Sequence, residues 1–85
     1  MNISKLEQRV LHALAQGGCI RHDRGTGRRI DSVLCVTRDG MILSDCTLPL
    51  FQRLRRRGLI ASENSAPYRI TRAGRLAVRS QPDNR

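Results

Sequence analysis

Three cysteines and two histidines are the residues of this chain best suited to hold a metal or move a proton. Cys19 and His22, with Cys35 and Cys46 further on, are ligand types that zinc takes. Their spacing argues against a site, because residues three apart on a strand point to opposite faces and no Cys-x2-Cys knuckle pre-arranges a tetrahedron. No metal and no cofactor are expected, and the thiols read as buried or half-buried. His12 or His22, with Glu63, Tyr68 and arginines, would supply the acid, base and charge stabilisers of a metal-independent ribonuclease. Yet His12 falls on a helix flank and His22 in a strand, where scaffold histidines sit, so no catalytic residue is assigned and the chain reads as a non-enzyme. Gly25-Thr26-Gly27 lacks the longer glycine spacing and following lysine of a P-loop and reads as a hairpin tip.

What remains is charge. In 85 residues, 16 Lys and Arg stand against 7 Asp and Glu, a formal +9 with neutral histidines. Such an excess points to an acidic partner: nucleic acid, an anionic membrane surface or a negatively charged protein. All the basic residues but Lys5 are arginine, whose fork suits phosphate and carboxylate. Arg53, Arg56 and Arg57 recur three or four apart on one predicted helix, and Arg72, Arg75 and Arg79 do so on another. These six form the candidate binding surface, against the plainer reading of a solvated face whose cations complement a helix dipole. Aromatic content of 2% leaves no base-stacking platform, so any nucleic-acid contact would be to phosphates and independent of sequence.

The elements that must position these arginines follow from local signals. Ser4-Lys5-Leu6-Glu7 fits a capping box and starts a helix at Lys5, with Leu6, Val10, Ala13 and Leu14 as its inner stripe and Gly17-Gly18 as its end. Residues 19–43 change period: 19–23 and 29–37 are β-branched-rich runs, and 41–43 follows the Arg38-Asp39-Gly40 turn, which together predict a hairpin or meander. Thr47 caps a second helix with Pro49 in its first turn; Leu48, Leu50, Phe51 and Leu54 face inward, and Gly58 ends it. A second hairpin spans 59–71 around a tip at 64–67. Thr71 then caps a third helix with Ala73, Leu76 and Ala77 inward, in which Gly74 costs about 1 kcal/mol relative to alanine. The chain length suits one domain over 1–80, with 81–85 a frayed tail.

No apolar run approaches the ~20 residues that span a bilayer, and the start MNISKLEQRV has neither a basic nor an apolar signal region. A soluble, unexported, cytoplasmic protein with reduced thiols and no membrane partner is therefore expected.

The order of elements, with "FQRLRRRGLI", a hairpin and then "PYRITRAG", resembles a winged-helix domain, so the expected fold class is α+β, winged-helix-like, with three helices. It departs from a regular helix-turn-helix at 19–43, where that motif needs a short helix before the recognition helix. Across essentially the whole chain, "LHALAQGGCI", "DCTLPLF", "PYRIT" and the terminal "DNR" are similar to the YjhX toxin family, a small bacterial family of DNA topoisomerase I inhibitors. That resemblance implies a toxin–antitoxin module in which a non-catalytic toxin occupies DNA topoisomerase I, with or without DNA, beside an acetyltransferase-like antitoxin. The alternative is a winged-helix transcriptional regulator that binds duplex DNA.

Overall fold

In the computed structural model, which describes residues 3–24, 27 and 29–79, helix α1 (Lys5–Ala15) begins where Ser4 caps it. The Glu7 N–H donates to Ser4 Oγ at 3.1 Å, and the Ser4 N–H donates to Glu7 Oε1 at 2.8 Å. Two donors with no partner inside the helix are satisfied reciprocally. The chain leaves α1 through Gly17, at a left-handed φ of 111°. The buried side of α1 is Glu7, Val10, Leu11 and Leu14. This corrects the stripe expected from sequence, since Leu6 is 47% exposed and Leu11 is fully buried. An acid occupies one position of an otherwise apolar i, i+3, i+4, i+7 set, and hydrophobicity alone reads past it.

Strands β1 (Cys19–Asp23), β2 (Ser32–Val36) and β3 (Ile42–Leu43) form the antiparallel meander that the sequence predicts, in the order β1-β2-β3. Ile20 pairs with Cys35, Arg21 with Leu34, and Val36 with Ile42. Cys35 and Ile20 point into the core, while Leu34 and Ile42 stay exposed on the other face. The expected tip at Gly25-Thr26-Gly27 lies, apart from Gly27, outside the described residues, as does the tail.

Helix α2 (Leu48–Arg56) starts at Thr47, whose Oγ1 accepts the Leu50 N–H at 3.3 Å. It buries Leu50, Phe51 and Leu54. The chain then forms the hairpin of β4 (Ile60–Ala61) and β5 (Arg69–Ile70). Just before β5, Tyr68 exchanges both backbone hydrogen bonds with Ile20 of β1, at 2.9 and 2.8 Å, which joins the hairpin to the meander.

Thr71 caps α3 (Arg72–Arg79): its Oγ1 accepts the Gly74 N–H at 3.1 Å and its hydroxyl donates to the Gly58 carbonyl at 2.7 Å. The buried residues of α3 are Gly74, Ala77 and Val78, so of the expected inner set only Ala77 holds, and Leu76 is 53% exposed. Glycine is needed at this helix–hairpin contact. A Cβ on Gly74 would collide with the Leu59 carbonyl oxygen and lie 2.7 Å from Ile70 Cγ1.

The core gathers Val10, Leu11 and Leu14 of α1, Ile20 of β1, Phe51 and Leu54 of α2, and Leu59. Each such side chain contributes roughly 1.5–3 kcal/mol by leaving water. Gly74→Ala tests the packing of α3: helix propensity would favour alanine by about 1 kcal/mol. The collision should reverse that sign, for a net loss of about 1–3 kcal/mol in denaturant unfolding. Unchanged or raised stability would show that α3 does not rest on the Leu59 carbonyl.

Candidate cationic interface

The six arginines expected to bind are placed differently from one another. Arg53 of α2 and Arg57, the residue just past its end and one turn on, both reach Glu7 Oε2, at 3.5 and 3.7 Å. Arg75 points Nη1 at the Ala15 carbonyl, 3.5 Å away, and Arg69 of β5 approaches the Gly17 and Gly18 carbonyls at 3.5 and 3.4 Å. Cations there offset the negative end of α1 and the carbonyls it leaves unpaired. Glu7 and Ala15 are eight residues apart, about 12 Å along the helix axis, so α1 separates the two arginine groups. Arg72 and Arg79 stand exposed at the two ends of α3.

Glu7 is a carboxylate only 4% exposed in a strongly cationic protein. Burial pushes its pKa up, but the Ser4 backbone and hydroxyl and the charges of Arg53 and Arg57 outweigh that, and its pKa falls below the ordinary 4.5. A carboxyl whose folded pKa is depressed adds stability above its unfolded pKa and loses it as pH falls through the folded value. Glu7→Gln should therefore cost about 1–2 kcal/mol at neutral pH. The deficit should shrink as both proteins are unfolded at pH falling below 4.5. A deficit independent of pH would remove the ion pairs as its cause.

Arg56 belongs to a different grouping, one that spacing along the chain does not reveal. Arg29, Gln52, Arg55 and Arg56 line one open cleft, and Arg24, Arg29, Ile30, Phe51, Gln52 and Arg55 line its neighbour. Gln52, Arg55 and Arg56 share one side of α2 by their i, i+3, i+4 spacing, whereas Arg24 and Arg29 come from the β1–β2 connection. The only hint in the sequence was the arginine count of that connection; the pairing with α2 is purely tertiary. Arg55 lies over the Tyr68 ring, its Cζ 5.9 Å from the centroid, a cation–π arrangement that orients the side chain without neutralising it.

Among the described residues no three His, Cys, Asp or Glu side chains gather to hold a metal, and of the acid–base set the structure brings His22 and Tyr68 together while His12 and Glu63 lie on other elements. His12 Nε2 of α1 is 3.2 Å from Nε2 of Gln16, just past the helix end, and the His22 ring meets Tyr68 edge-on at 5.2 Å. Glu63 is exposed near the tip of the second hairpin. All three cysteines are free thiols; Cys35 and Cys46 are buried and Cys19 is half-buried. Burial pushes Cys35 to about 11, with help from Cys19 and Asp45, and Cys46 to about 12, with help from Cys35. At pH 8 both buried thiols therefore stay protonated and unreactive. Alkylation under native conditions should label Cys19 alone, read by mass spectrometry, with Cys35 and Cys46 reacting only on unfolding. Native labelling of Cys46 at the rate of Cys19 would contradict the buried placement.

The profile of the YjhX toxin family, described as "Putative toxin of bacterial toxin-antitoxin pair", matches residues 1–85. The chain is 61% identical to a UPF0386 protein of Beijerinckia indica and 59% identical to one of Parvibaculum lavamentivorans, each over the full length of both chains. It is 60% identical to one of Rhodospirillum centenum, across all of this chain and 99% of that one. No solved structure matches. Among the described residues, no helix is long and apolar enough to cross a membrane.

Proposed function

The chain belongs to the YjhX toxin family, a family of toxins of bacterial toxin–antitoxin pairs, and on that premise we propose that it is a non-catalytic inhibitor of DNA topoisomerase I. It acts in the cytoplasm by adhesion, alone or on the enzyme's DNA complex, and an acetyltransferase-like antitoxin neutralises it. The observation that carries this reading is an apolar anchor next to a cation. Leu34 and Ile42 project from the outer face of the meander, 41% and 63% exposed, with Met41 beside them at 70% and Arg21 directly across from Leu34. Large exposed apolar side chains beside a guanidinium group have the composition of a protein-binding surface. Forked arginine–carboxylate contacts would add orientation and rate of encounter, and no covalent chemistry is required.

Stoichiometric excess of the protein should slow supercoil relaxation by DNA topoisomerase I. Leu34→Asp with Ile42→Asp, both at exposed positions, should weaken that inhibition at least tenfold. Relaxation unaffected by the wild-type protein would overturn the proposal.

A second reading, a winged-helix regulator, draws on the order α2, hairpin, α3. Against it, residues 19–43 hold three strands where a helix-turn-helix places a short helix. A gel shift of the protein's own operator competed by mixed-sequence duplex separates the readings, since a regulator must prefer its operator whereas phosphate contact alone shows no preference.

A further inference from the structure

We propose that the cleft between the β1–β2 connection and α2, lined by Arg24, Arg29, Gln52, Arg55 and Arg56, is a binding site for the phosphodiester backbone of nucleic acid. The site stands on its own geometry and does not depend on the inhibitor reading.

The charge of Arg29, Arg55 and Arg56 is unspent. Arg53 and Arg57 are engaged by Glu7, and Arg9 by Asp45 at 3.1 Å, whereas among the described residues no carboxylate lies within ion-pair distance of Arg29, Arg55 or Arg56. Three uncompensated guanidinium groups drawn from two separate elements converge on clefts of about 540 and 370 Å³. A concave surface of one sign concentrates its potential and recruits a counter-ion. Arg55 is held over Tyr68 before any ligand arrives, and Gln52 on the same side of α2 adds an uncharged donor.

A phosphate backbone fits this cleft better than an acidic protein does. Protein interfaces depend on apolar anchors entering or leaving the patch. The apolar residues here are Ile30 and Phe51, 4% and 0% exposed, which form a closed floor and offer nothing to dock on. The exposed apolar side chains Leu34, Met41 and Ile42 are absent from the lining of both clefts. Cations without apolar area suit a polyanion whose affinity comes from counter-ion release.

The test is fluorescence anisotropy of a short mixed-sequence duplex titrated with the full chain over a range of salt concentrations. The double variant Arg29→Gln, Arg56→Gln should reduce the slope of log affinity against log salt by about 2 and weaken low-salt binding tenfold or more. Lys5→Gln with Arg38→Gln removes the same formal charge away from the cleft and should change binding less than about threefold. Equal losses in the two variants would reduce the effect to net charge and overturn the site. An unchanged slope in the cleft variant would overturn it as well. So would tighter binding of a charge-matched polyglutamate chain that the cleft variant loses, since the cleft would then read carboxylates. Thermal melts of both variants keep folding separate from binding, as all four side chains are exposed. Duplex binding that depends on Arg29 and Arg56, combined with unaltered topoisomerase relaxation, would sustain the cleft and remove the inhibitor reading.

Discussion

Tyr68 is the residue through which the two β structures and α2 are joined. Its backbone completes a pair of hydrogen bonds with Ile20, and its ring meets Phe51 edge-on at 4.9 Å and 89° while His22 packs against it from β1. Edge-to-face contacts of this kind add roughly 0.5–1.5 kcal/mol beyond the area they bury. A chain of this size has one small core to share among its elements, and no disulfide supplements it. The hairpin of β4 and β5, only two residues per strand, is too short to persist alone. Its attachment at Tyr68 makes it part of the core, and the same ring orients Arg55 at the cleft.

Charge in this protein divides into kinds that a net count merges. One buried acid holds two arginines and caps a helix at the same time, so Glu7 couples the start of α1 to the end of α2. Arg69 and Arg75 serve the opposite end of α1. Only after these structural uses are removed does the group around Arg29, Arg55 and Arg56 stand out.

Local signals in the sequence were legible where they act over three or four residues. Ser4, Thr47 and Thr71 each cap the helix expected of them, and the β-branched runs before and after the first turn pair as a meander. The inner faces of α1 and α3 were misread for one shared reason. Each places a residue that no hydrophobicity pattern selects at a buried position: Glu7, neutralised by partners from α2, and Gly74, required by the Leu59 carbonyl. Without those positions the apolar pattern shifts onto Leu6 and Leu76, which are exposed. The cleft was illegible for a related reason, since Arg29 and Arg55 are distant in the chain and meet only once the meander packs on α2.

The chain contains one tyrosine and no tryptophan, and that tyrosine lies at the junction of the fold, in contact with the guanidinium of Arg55. Its near-ultraviolet absorption and dichroism are consequently an intrinsic optical reporter, with no competing indole to mask it. Displacement of Arg55 by an arriving ligand and detachment of the hairpin would both register in this one chromophore, without any attached dye.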